Sequence, residues 1–322
     1  MSKIYKLSLD LKSGLLSELH SDIIFGHFCW RMKDFLGEEK LLEMLKLYLS
    51  GNPVFTISDC LFEKNNTLFF SRPFVIKKID KKEKLTKKEK ICNFLIHKTT
   101  KSVNLVNVEQ FNDILAGKSI QIKKETSLPE FEYDLRVSAE IDRNKLSTKE
   151  GRLFSYAPKY IKKQKKEEKV NLALLVKVLD ENKFDEFKCK EILKDVFEIG
   201  FGKKKSSGYG QFEIIDDFSE YNEIKEPENP NGFISLSHYL PSSSDSIVDG
   251  FYNVNVKYGK LGEELALDGN PFKKPIIFYT PGSCFKTDTI KEFYGRCTNS
   301  GEVIYRNEIV HYGFSFSIKM KY

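Results

Sequence analysis

An α+β protein in two units is the class the sequence predicts, on three observations. Patterned segments over residues 4–216 follow the order strand–helix–strand–strand–helix–strand, which fits a ferredoxin-like βαββαβ unit with large insertions. The segment 231–322 is mostly β in pattern and reads as a second, degenerate copy. Between them, residues 216–230 hold six acids, one lysine (Lys225), Pro227 and Pro230, a composition shift that marks a linker. A first domain of residues 1–220 and a second of 231–322 follow, in line with ~150 residues per domain for a chain of 322.

Tyr5, Leu7, Leu9 and Leu11 alternate with Lys6, Ser8 and Asp10, the pattern of a half-buried strand. Ser21-Asp22 is a candidate helix cap before an apolar run from Ile23 to Trp30, and Gly37 ends that helix. A second helix, 38–49, carries Leu41, Leu42, Leu45 and Leu49 at helical spacing. Residues 54–61 and 68–74, joined by Lys64-Asn65-Asn66-Thr67, read as a hairpin. Strand character returns at 135–141 and 170–179, a helix is expected over 184–196, and a short strand over 212–215. Further on, 251–258, 275–280 and the alternating run 311–322 read as strands of the second domain.

Composition excludes several classes. With 40% apolar and 30% charged residues the chain is not disordered in bulk. No run approaches the ~18 apolar residues of a membrane span, and Met1–Lys6 lacks an apolar signal core, so a cytoplasmic location is expected. The six cysteines are scattered without a C-x-x-C, and the five histidines form no metal-ligand spacing, so free thiols and neither metal nor cofactor are expected. A net charge of +6 is mildly basic. Its distribution says more: residues 77–101 carry ten lysines and three acids, and 159–169 six lysines and two acids. These basic arms beside an acidic stretch suggest two distinct surfaces, a basic hairpin that faces a polyanion and a remaining exposed surface that docks protein subunits.

The most informative stretch is Gly200-Phe201-Gly202-Lys203-Lys204-Lys205-Ser206-Ser207-Gly208-Tyr209-Gly210. It follows a helix and precedes a strand, the reverse of a Rossmann fingerprint, and it lacks the Gly-Lys-Ser/Thr of a phosphate loop. Its four glycines allow backbone N–H groups to turn outward as an anion nest. Three lysines add charge, Ser206 and Ser207 add hydroxyls, and Phe201 and Tyr209 offer rings, ingredients that suit single-stranded RNA.

With that loop in view, the chain resembles the RAMP superfamily of CRISPR RNA-binding proteins, and within it the fourth Csm subunits of type III-A effector complexes. The likeness rests on Ser21-Asp22-Ile23-Ile24-Phe25-Gly26, on Phe55 to Phe62 with Ser58-Asp59, and on Ile141-Asp142-Arg143 followed by Glu150-Gly151-Arg152-Leu153-Phe154. Ser235 to Pro241, Gly282-Ser283 and Gly313 to Phe316 complete it. The resemblance implies two ferredoxin-like RAMP domains, with an insertion at about 77–130 and a projecting basic β-hairpin thumb running from around Arg143 to Lys169. It further implies a non-catalytic subunit that caps the repeat-derived 5′ handle of crRNA, contacts the large polymerase–nuclease subunit and adjoins the backbone-forming RAMP subunit. His20, Ser21, Arg143, residues 200–210 and Ser283 are the RNA-contacting residues it suggests. The alternative is a metal-independent RAMP endoribonuclease that processes precursor crRNA, with His20 as general acid or base. Against it, such nucleases carry the glycine-rich loop near the C-terminus, whereas 112 residues follow Gly210 here.

Overall fold

A computed structural model describes residues 2–74, 103–118, 128–162, 169–262, 265, 271–299 and 309–322. The first half contains β1 (Lys3–Leu11), α1 (Ser21–Leu36), α2 (Glu38–Leu49), β2 (Phe55–Ile57), β3 (Leu61–Lys64) and β4 (Thr67–Ser71). It continues with β5 (Leu105–Asn107), α3 (Val108–Leu115), β6 (Phe131–Tyr133), β7 (Arg136–Asp142), β8 (Ser147–Tyr156) and β9 (Lys159–Ile161). Then come β10 (Val170–Val178), α4 (Glu181–Glu186), α5 (Cys189–Glu198) and β11 (Phe212–Glu220). The remainder is β12 (Gly232–Ser235), β13 (Ile247–Phe251), β14 (Val254–Lys257), β15 (Ile276–Tyr279) and β16 (Cys284–Thr287), followed by β17 (Tyr294–Gly295), β18 (Thr298–Asn299), β19 (Val310–His311), β20 (Phe314–Ser315) and β21 (Ser317–Met320). No α-helix occurs among the described residues of 231–322. No described helix is long and apolar enough to cross a membrane.

The larger sheet runs β11-β1-β10-β3-β4-β5, with β2 also paired to β10, and its pairings are antiparallel. A second antiparallel sheet runs β13-β16-β12-β21. Strand β10 shows how the two are joined. Leu172, Leu174, Val176 and Val178 face one core with α1, α2 and α5, while Ala173 and Leu175 face another, shared with Ile234, Cys284, Ile318 and Met320 of the second sheet. A strand covered on both faces reads as a continuous apolar run, which is why 170–179 lacks alternation. Lys177 lies in this shared layer, where burial lowers its pKa and its ammonium donates to the Ser317 carbonyl.

Several expectations are corrected. The α1 cap comes from neither Ser21 nor Asp22: His20 is the N-cap residue, and the Ser21 N–H donates to Asp59 Oδ1 at 2.8 Å. In α2 the buried residues are Met44, Leu45 and Tyr48, while Leu42 and Leu49 are exposed. The hairpin is β3–β4, turning on Asn65 and Asn66, both with positive φ. Its predicted first strand breaks at Ser58–Cys60. The helix expected over 184–196 is split into α4 and α5 at Lys188, which has φ 48°. β11 runs to Glu220, so the acidic stretch begins inside a strand, and Tyr221 is buried in the shared core. The C-terminal run is divided into β19, β20 and β21, with Tyr312 and Phe314 in the first core and Phe316, Ile318 and Met320 in the second. Part of the expected insertion is integral: β5 extends the large sheet, and α3, capped by reciprocal Asn107 and Gln110 contacts, buries Phe111 and Leu115. The lysine-rich segment 77–101 lies outside the described residues.

Candidate nucleic-acid interface

The glycine-rich loop connects α5 to β11 and is held at both ends. Phe201 is fully buried, stacked on Phe197 at 5.6 Å and beside the His27 ring at 4.5 Å. It anchors the loop in the core, which corrects the expectation that it offers a stacking face. Gly202 has φ +81° and presses on the 12–20 segment, where a Cβ would stand 2.3 Å from Ser17 Oγ. At Gly210 a Cβ would stand 2.0 Å from the Phe201 carbonyl oxygen. These two positions require glycine for close approach as well as for φ.

The loop's N–H groups mostly turn inward. Phe201 donates to the Gly210 carbonyl, Gly210 to the Gly14 carbonyl, Lys203 to Ser17 Oγ and Gln211 to Ser13 Oγ, at 2.8–2.9 Å. At the tip, Ser207 and Tyr209 donate to the Lys204 carbonyl and Gly208 to that of Lys205. With Gly200 also donating, to Phe197, the loop is a closed turn rather than an outward nest of amides. What it presents is side chains. Lys203, Lys204, Ser206, Ser207 and Gly208 are exposed, and Lys205 and Tyr209 half-buried.

A projecting hairpin, β7–β8, clasps this loop. Tyr209 meets Tyr156 edge-on, ring centroids 5.9 Å apart, and Lys204 Nζ lies 3.5 Å over the Tyr156 ring. Arg136 donates from one guanidinium nitrogen to the Tyr209 hydroxyl at 3.3 Å and from another to that of Tyr160 at 3.2 Å. Arg143 stands exposed at the hairpin tip, where Asp142 Oδ1 accepts from the Asn144 N–H. The hairpin spans 136–156 and does not run on to Lys169, because β9 pairs back with β6 at its base. Exposed cations beside aromatic rings on one projecting surface can meet phosphates and stack bases.

The other suggested contacts lie elsewhere. Ser21 is buried under the Asp59 cap. Ser283 is buried too, its hydroxyl donating to the Thr280 carbonyl and its own carbonyl accepting from the Ser235 N–H. Neither side chain is available to RNA. His20 lies half-buried at the start of α1, its ring 4.0 Å from that of His238, and burial lowers its pKa to about 4. Asp59 joins the two histidines' surroundings: its Oδ2 lies 2.6 Å from His238 Nδ1, and its Oδ1 accepts from the Ser21 and His238 N–H groups. Burial acts to raise the Asp59 carboxyl, but the His238 imidazole, through charge and hydrogen bond, with His20 and Lys257 adding, holds it below the usual carboxylate range. A cleft of about 260 Å³ opens beside this group, lined also by Leu15, Phe62, Phe131 and Lys159.

Sequence reasoning missed Arg136, Tyr156 and Tyr160. The available signal was Tyr160 inside the basic stretch and Tyr156 just before it; nothing local marked Arg136. It also missed the meeting of residues 20, 59 and 238, which no local spacing could reveal.

No family model and no curated protein matches the chain. Solved structures do. A chain of the Csm3–Csm4 subcomplex of the type III-A CRISPR–Cas interference complex is 13% identical, with a TM-score of 0.64 over 99% of this chain and 100% of that one. Chains of the Csm1–Csm4 cassette, in complex with pppApA or with cA4, are 14% identical, with TM-scores of 0.60 over 99% of this chain and 98% of theirs. Over nearly its whole length the chain shares the fold of these Csm4-type chains.

Proposed function

We propose that this chain is a non-catalytic guide-RNA-binding subunit of a type III-A (Csm) effector complex. It holds the repeat-derived 5′ handle of crRNA, docks the large polymerase–nuclease subunit and adjoins the backbone-forming RAMP subunit. The observation that carries the reading is the lysine-bearing glycine-rich loop clasped to a projecting hairpin, on a chain that follows a Csm4 fold from end to end. The partners follow from the assemblies of the similar chains, a Csm1–Csm4 cassette and a Csm3–Csm4 subcomplex.

The same reading takes the two sheets as two ferredoxin-like units. In the first, β1, the β2–β3 strand, β10 and β11 serve as strands one to four and stand in the order 4-1-3-2. In the second, β12, β13, β16 and β21 stand in that order too, with loops where helices would be. The non-catalytic part is supported by the placement of His20: its buried Nδ1 has no hydrogen-bond partner among the described residues, and burial keeps the ring a weak base. The test is binding of a repeat-derived handle RNA against an unrelated strand of equal length, with RNA integrity followed on a gel. Preferential binding of uncut RNA supports the proposal; site-specific cleavage overturns it.

A further inference from the structure

We propose that His20, Asp59 and His238 form a binding site for a first-row divalent metal ion, with Zn²⁺ the ion its donors fit. One ligand atom from each residue lies within 4.8 Å of the others. Two imidazoles and one carboxylate are a donor set that Zn²⁺ takes in three-ligand sites, with the fourth position left to water or substrate. Donors bound at ~2.0–2.2 Å from one ion stand about 3–4 Å apart, so the cluster must tighten at His20 while the 2.6 Å hydrogen bond between His238 Nδ1 and Asp59 Oδ2 opens and its proton leaves to solvent. The residue free to move is His20. Its Nδ1 is buried without a hydrogen-bond partner among the described residues, an orphaned donor or acceptor left uncompensated there.

The remaining pieces of a built site are present. The Asp59 main chain is fixed by its own N–H, which donates to the Leu236 carbonyl at 3.0 Å, and by Cys60, whose N–H donates to the Leu19 carbonyl at 3.0 Å. Asn255 Nδ2 lies 3.4 Å from His238 Nε2, and a half-turn of that amide would place Oδ1 there to accept the Nε2–H of an imidazole that ligates through Nδ1. Beside the three residues the cleft of about 260 Å³ supplies an entry path and room for a fourth ligand. The ligands come from three segments: the turn before α1, the break between β2 and β3, and the turn after β12. An ion there ties the two sheets together at their junction.

The experiment uses the full chain, stripped with chelator and titrated with ZnCl₂ by calorimetry. Co²⁺ absorption serves as the geometric readout and thermal melting as the stability readout. The proposal expects one ion per chain, a raised melting temperature, and the visible d–d band of four-coordinate Co²⁺. His20→Ala should weaken binding at least tenfold while leaving a cooperative unfolding transition, because that ring's Nδ1 makes no bond to lose. Asn255→Ala should weaken it less. No saturable binding in the native chain overturns the site, as does one-to-one binding that His20→Ala and His238→Ala leave unchanged. If His238→Ala fails to fold, the His20→Ala result alone decides.

Discussion

Replacing Asp59 by alanine removes one carboxylate and leaves three donors without an acceptor. They are the Ser21 N–H at 2.8 Å, the His238 N–H at 3.2 Å and the His238 Nδ1 at 2.6 Å. Asp59 is 7% exposed, so water does not replace it freely. Leaving a buried donor without an acceptor costs about 1–3 kcal/mol, so the three together cost about 3 kcal/mol or more, and the lost anion at the start of α1 adds to that in the same direction. Asp59→Asn keeps the Oδ1 acceptor for both backbone donors, so it should cost less, about 1–3 kcal/mol. The assay is urea unfolding at neutral pH, comparing midpoints at constant m-value. Acid strengthens the test. The Asp59 carboxyl is held below its ordinary value in the folded chain, so its contribution is complete above an unfolded pKa of ~3.9 and is lost as pH falls through the folded value. The alanine variant should therefore show a shallower loss of stability in that acid range. A variant within about 0.5 kcal/mol of the native chain, as for an ordinary surface change, would refute the reasoning.

Three other outcomes are expected. Changing Lys203, Lys204 and Lys205 together to alanine should flatten the salt dependence of handle-RNA binding, log K against log[salt], by at most about 2, at ~0.7 per phosphate released; melting should move little, although Lys204 loses its contact with Tyr156. Gly210→Ala should destabilise the fold well beyond the ~1–2 kcal/mol of left-handed backbone strain, because its Cβ meets the Phe201 carbonyl, whereas Gly208→Ala, which opens on free space, should cost only that strain; equal melting temperatures for the two would contradict the loop geometry. In metal-free protein, His20 should make the chain less stable as pH falls from 6.5 toward 4, since the unfolded ring takes up a proton that the folded ring refuses. That dependence is worth up to about 3 kcal/mol and should vanish in His20→Ala, as read by unfolding at several pH values.

Local pattern carried much of the fold. The bounds of α2 followed from its flanking glycines, β1 from its alternation, and the exposed lysines of the loop from composition alone. What escaped has a common physical cause, namely contacts between segments distant in sequence. The cap of α1 is supplied by Asp59, 38 positions from Ser21, so the local Ser-Asp pair misled. Asp22, read as a cap, instead pairs with Lys257 on β14 and lies 3.5 Å from His311 on β19. Phe201 looks like a stacking ring in sequence because nothing there says that Phe197 and His27 wait beneath it. Ser283, read as an RNA contact in a Gly-Ser element, is instead buried, its hydroxyl turned to the Thr280 carbonyl and its carbonyl to the Ser235 N–H. The four glycines were legible as a tight loop, but the direction of its N–H groups depends on Gly14, Ser13 and Ser17, nearly two hundred residues earlier.

In the proposed function, the surface formed by the glycine-rich loop and the β7–β8 hairpin holds a guide-RNA 5′ handle without cutting it. Ultraviolet crosslinking of the full chain to a repeat-derived handle RNA, with the crosslinked peptides identified by mass spectrometry, tests it most directly. The account predicts crosslinks concentrated at Tyr209, Tyr156 and Lys203–Ser207, on RNA that remains intact. Crosslinks confined to other faces, or RNA cut at a defined position, would contradict it.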